Sequence, residues 1–102
     1  MRTPGIEKIR NFLVFRLMVV TFRFTKTSEK AFSKFDPKIR ESLVESLTAL
    51  KDSTLLETNS KAVTNLLPAT HRLRVGNYRF LYERNGDEVL ILKVGHRKNV
   101  YQ

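Results

Sequence analysis

Three strand-like runs joined by two glycine turn signals constrain this chain more than any other feature. They read HRLRV, then Gly76-Asn77, then YRFLYER, then Asn85-Gly86, then EVLILKVG. Asn-Gly and Gly-Asn between runs of β-branched and aromatic residues are hairpin signals, because a two-residue turn matching strand twist needs positive φ. The last third is therefore an antiparallel meander. Leu90, Ile91 and Leu92 are contiguous, as expected of a strand covered on both faces.

The rest of the chain must cover that sheet. Met18, Val20, Phe22 and Phe24 alternate with Val19, Thr21 and Arg23, so a strand is expected over roughly 17–25. Phe32, Phe35, Ile39, Leu43, Leu47 and Leu50 then recur at spacings of three and four, the period of a helix with one apolar face. Asp36-Pro37 divides that stripe. Asp is a good N-cap and Pro suits the first helical position, so two helices are expected, at about 27–35 and 37–51. Residues 52–70 carry scattered leucines and read as a loop with one short helical turn near 60–67, stopped by Pro68. The order is β-α-α-β-β-β: an α+β domain with a twisted, mostly antiparallel sheet and a helical hairpin packed on one face.

At 102 residues, one domain is expected, assigned to 17–102 with residues 1–16 as a leader or flexible arm. The apolar run Phe12–Phe22 contains Arg16 and is too short to span a membrane. No small-residue cleavage site follows it. There is no cysteine, which excludes disulfides and thiolate metal sites and makes the reducing cytoplasm the default compartment. Only two histidines accompany them, so no metal site is expected.

Charge points to a partner. The net charge is +9 and both ends of the chain are basic, while residues 41–70 carry two Lys/Arg against four Asp/Glu. On a strand, residues i and i+2 share a face. Arg72 and Arg74 thus point together, away from Leu73 and Val75, and Arg79 joins them if the hairpin brings it to their side. Planar guanidinium groups match phosphate oxygens, and neighbouring rings stack on bases. A phosphate-rich ligand laid across the sheet is one reading, and a solvated arginine face is the other. Gly95-His96-Arg97-Lys98 adds cations and a histidine suited to proton transfer near neutral pH, followed by Tyr101. His71 shares the parity of Leu73 and reads as structural.

The stretch HRLRVGNYRFLYERNGDEVLILKVGHRKNVY resembles the C-terminal half of the RelE/ParE toxin superfamily, particularly the RelE-type mRNA interferases. KAFSKFDPKIRESLVESLTAL resembles its N-terminal half, so the likeness spans roughly residues 18–102. The resemblance implies the β-α-α-β-β-β fold and a toxin of a type II toxin-antitoxin system. It implies a ribosome-dependent endoribonuclease that cuts messenger RNA in the decoding site, without metal or cofactor, by attack of a ribose 2′-OH on the adjacent phosphate. It implies a cognate acidic antitoxin in a heteromeric complex, and the ribosome and mRNA as further partners, with no membrane. Carried over by motif, Arg79 and Arg97 stabilise the phosphate and Tyr101 orients the nucleotide; His96, next to Arg97, is the candidate general acid. Arg72, Arg74, Lys93 and Lys98 bind RNA. The best-known members carry a lysine pair where this chain has Arg72 and Arg74; arginine stays protonated, so the general base is unassigned, with His71 a candidate. Two alternatives stay open: a gyrase inhibitor of the ParE type, and an inactive relative that only binds RNA or antitoxin.

Overall fold

The computed structural model describes residues 19–100. The elements are β1 (Thr21–Phe24), α1 (Lys26–Ser33), α2 (Pro37–Ala49), α3 (Ser53–Thr58), β2 (Ser60–Ala62), β3 (His71–Val75), β4 (Tyr78–Asn85) and β5 (Glu88–His96). They form one five-stranded sheet in the order β1-β5-β4-β3-β2. β1 runs parallel to β5 and the other pairs are antiparallel. The α+β expectation holds. The expected first strand extends beyond the described residues at 17–18. Val19 forms an isolated bridge to Asp52.

Local chemistry sets the helix starts. Thr25 caps α1 by accepting from the Ser28 N–H at 3.1 Å. Asp36 caps α2 through Lys38 N–H at 2.9 Å, with Pro37 in the first helical turn. The buried Ser28 hydroxyl donates to the Ile91 carbonyl at 2.7 Å and fastens α1 to the sheet. The helical stripe faces inward as expected: Leu43, Leu47 and Leu50 join Leu73, Phe80, Val89 and Ile91 in the core, with Phe32, Phe35 and Ile39 packed at its margin. A row of rings, Phe24, Phe32, Phe35, Tyr78 and His96, runs along the same side at centroid spacings of 5.2–5.7 Å.

Three details differ from the sequence expectation. The segment 52–70 is not a loop with a turn near 60–67: it holds α3 and the edge strand β2. Asp52 makes α3 by accepting from Thr54 N–H at 2.8 Å, and Leu56, fully buried, holds it to the core. The second tight turn is Gly86-Asp87, closed by the pair Asn85↔Glu88, one residue later than Asn85-Gly86. In both turns only the first central residue has positive φ, +58° at Gly76 and +61° at Gly86, which is the glycine-first hairpin geometry. Third, the pairing jumps from Leu81↔Lys93 to Tyr82↔Ile91, so Leu92 is an extra residue in β5. This bulge lets Ile91 face the core while Lys93, two residues on, faces the opposite side.

Candidate nucleic-acid interface

The sheet has a helix-covered face and an open face. His71, Leu73 and Val75 on β3 oppose Tyr82, Phe80 and Tyr78 on β4, and this set turns toward the helices. The intervening residues turn outward. Across the open face Lys61 pairs with Arg72, which pairs with Leu81, which pairs with Lys93. In the adjoining row Arg74 pairs with Arg79, which pairs with Gly95. The hairpin therefore does bring Arg79 to the side of Arg72 and Arg74.

A basin of about 720 Å³ opens here, lined by Thr58, Asn59, Ser60, Lys61, Arg72, Arg74, Arg79, Arg97 and Lys98. Six of these side chains are cationic and none is a carboxylate. The ion pairs Arg23–Glu88 and Arg84–Glu57 lie elsewhere, with oxygens at 3.7 Å in each. Like charges crowded on a solvated face repel one another, and an anion laid among them relieves that repulsion. Arg79 is held in place: its Nη1 donates to the carbonyls of Gly76 and Tyr78, each at 2.9 Å. That leaves the remaining guanidinium donors available to a ligand.

Arg97 and Lys98 reach the basin on a turn that follows β5. Arg97 N–H donates to the Asn77 carbonyl at 2.8 Å, and Val100 N–H returns to the His96 carbonyl at 3.0 Å. Val100 packs over Gly95 in that turn. A Cβ there would project onto Val100, 3.5 Å from its Cα, and Val100 is buried.

The expected site residues do not all come together. Arg72, Arg74, Arg79, Arg97 and Lys98 come together around the basin. Lys93 shares the open face but stands beyond Leu81, off the basin wall. His96 turns to the helix-covered face, pairing with Tyr78 edge-on at 5.6 Å, and is not brought into the basin. Tyr101 lies outside the described residues. His71 is on the helix side, as its parity implied, stacked on Tyr82 at 5.2 Å with Nδ1 2.8 Å from the Thr70 hydroxyl. Burial chiefly, and then the Arg84 charge, hold its pKa below the ordinary 6.5, against an opposing pull from Glu57. Burial likewise pushes the Tyr82 phenol above its ordinary value, although its hydroxyl donates to Ser60 Oγ at 2.9 Å. Sequence reasoning missed Lys61 and the polar wall Thr58–Ser60. A lone lysine in a polar stretch gives no signal until β2 pairs it with Arg72.

Among the described residues no three His, Cys, Asp or Glu side chains are grouped to hold a metal, and no helix is long and apolar enough to cross a membrane.

Residues 22–101 match the family model of the ParE toxin of the type II toxin-antitoxin system parDE. The chain belongs to the RelE/ParE toxin superfamily. Toxin RelE3 of Methanocaldococcus jannaschii is 52% identical over 31 residues, 30% of this chain. The chain thus matches about a third, 35%, of the length of that curated relative. A chain of the RelBE2 toxin-antitoxin complex from Mycobacterium tuberculosis is 33% identical with a TM-score of 0.65, over 78% of this chain and 99% of that one. One from the RelB-RelE complex of Methanococcus jannaschii is 30% identical with a TM-score of 0.57, over 76% and 93%. The RelE/ParE frame therefore spans the meander and both long helices.

Proposed function

We propose that this chain is the toxin of a type II toxin-antitoxin pair and cuts messenger RNA in the ribosomal A site. The observation that carries this reading is the basin: six cations and no carboxylate on one open sheet face, within a RelE-type fold. In the reaction the ribose 2′-OH attacks the adjacent phosphorus, the P–O5′ bond breaks, and a cyclic phosphate and a free 5′-OH result. Negative charge builds on the non-bridging oxygens as the phosphorus becomes five-coordinate. Fixed donors aimed at that charge lower the barrier. Arg79, braced by two carbonyls, and Arg97, on the adjoining turn, supply them. Arg72, Arg74, Lys61 and Lys98 hold the flanking phosphates, with Lys93 further along the strand path and Tyr101 stacking on a base. Arginines carry charge rather than exchange protons at neutral pH, so the basin's contribution is electrostatic and positional.

The partner of the resting state is an acidic antitoxin whose charge covers the same face. Two of the similar structures are toxin-antitoxin complexes, which supports a heteromeric assembly.

The test is primer extension on a defined messenger in a reconstituted translation system, with and without ribosomes. Wild type should give cuts within codons that require ribosomes. Losing one stabilising donor costs on the order of 100-fold or more, so Arg79→Ala/Arg97→Ala should be silent while still binding antitoxin. The family model that matches carries the ParE name, and this favours one second reading, inhibition of DNA gyrase. Absence of cutting together with inhibited supercoiling would replace the first reading with the second.

A further inference from the structure

We infer that His96 is a positioning residue: its imidazole braces the turn that carries Arg97 and Lys98 into the basin, and it transfers no proton. Its place after Val94-Gly95 and before Arg97 suggested a general acid, but consecutive residues at a strand end face opposite sides. The ring stands on the helix-covered face against Tyr78. What it does there is specific. Lys98 N–H donates to His96 Nδ1 at 3.2 Å. A backbone N–H can be accepted only by a ring nitrogen without its proton, so the hydrogen of the neutral ring is on Nε2.

The contact has the pattern of an Asx turn, in which the side chain at i accepts the N–H at i+2. It works with three other fastenings of the same turn: Arg97 N–H to Asn77, the return of Asn99 and Val100 N–H to the His96 carbonyl, and Val100 on Gly95. The first ties the turn to the β3–β4 hairpin, where the Gly76 and Tyr78 carbonyls hold Arg79. Arg79 and Arg97 are therefore set by neighbouring parts of one backbone frame. Removing the His96 brace frees the Lys98 end of that frame first.

The consequence for RNA cutting rests on the proposed function; the brace itself does not. Three forms separate the roles: wild type, His96→Ala and His96→Asn. Asparagine offers an acceptor oxygen in the Asx-turn position and has no proton to give at neutral pH. We would measure amide exchange at Lys98, affinity for a fluorescein-labelled single-stranded RNA, and ribosome-dependent cutting. His96→Ala should expose the Lys98 amide to rapid exchange and weaken RNA binding on the order of fivefold, the effect of one hydrogen bond. His96→Asn should restore protection and most of both the affinity and the cutting. Cutting lost equally in both variants, with Lys98 still protected in His96→Asn, would establish proton transfer and overturn the inference. So would a Lys98 amide that stays protected in His96→Ala. If wild type cuts nothing, the interferase reading falls, while exchange and affinity still decide the brace.

Discussion

His71 and His96 are the chain's two histidines, and the fold gives both rings work on the helix side. Parity along HRLRV placed His71 correctly, because a regular strand fixes the face of every second residue. His96 was legible as a neighbour of Arg97 but not as facing away from it, since the chain turns at that point. His71 has a measurable consequence. Its folded pKa lies below the ordinary 6.5, with burial the larger cause and Arg84 the smaller. A group with a lowered pKa binds its proton less readily in the folded state, so the unfolded chain gains the proton first as pH falls. The associated stability is present above 6.5 and is lost as pH drops through the folded value. Urea melts of wild type and His71→Gln at several pH values should therefore show wild type's advantage shrinking below about pH 6.5. An advantage that is flat or grows with acid would mean that the ring is not kept neutral by its surroundings.

At the scale of elements, what was readable followed the length and regularity of the pattern. The meander and the two long helices show at least one full period of alternation or of apolar stripe, and their ends carry Gly76, Gly86 and Asp36-Pro37. α3 has six residues and β2 has three, too short for either period to declare itself. Asp52-Ser53 was a capping signal in plain view, but the leucines after it are spaced for no clear face. The bulge at Leu92 left no mark either, because LILKV reads as continuous strand. Yet it is the bulge that turns Lys93 and Gly95 outward and so opens the seat for Val100. The glycines separate these effects. Gly76→Ala or Gly86→Ala forces an L side chain into positive φ and should cost about 1–2 kcal/mol. Gly95→Ala meets Val100 only at ordinary contact distance, 3.5 Å. Denaturant midpoints should move for the first two and stay within about 0.5 kcal/mol of wild type for the third. Equal losses at all three would contradict the turn geometry.

For the whole molecule, a charge of +9 indicated an anionic partner but not the face on which it lies. The fold segregates the two faces: helices cover one side of the sheet and the basin gathers six cations on the other. Binding of single-stranded RNA to that face should then be governed by counterion release. Each phosphate neutralised contributes about 0.7 to the slope of log K against log salt, so full engagement of the six predicts a slope near about −4. If Lys61 meets a phosphate and reads no base, Lys61→Ala should make the slope shallower by about 0.7. Lys30→Ala, on the exposed side of α1, should leave it unchanged. The comparison is demanding, since both substitutions remove one positive charge from the same small domain. If they flatten the slope equally, RNA is responding to net charge alone, and the basin has no special claim on it. If Lys61 acts and Lys30 does not, the anion lies across the sheet, where an acidic antitoxin would have to compete with it.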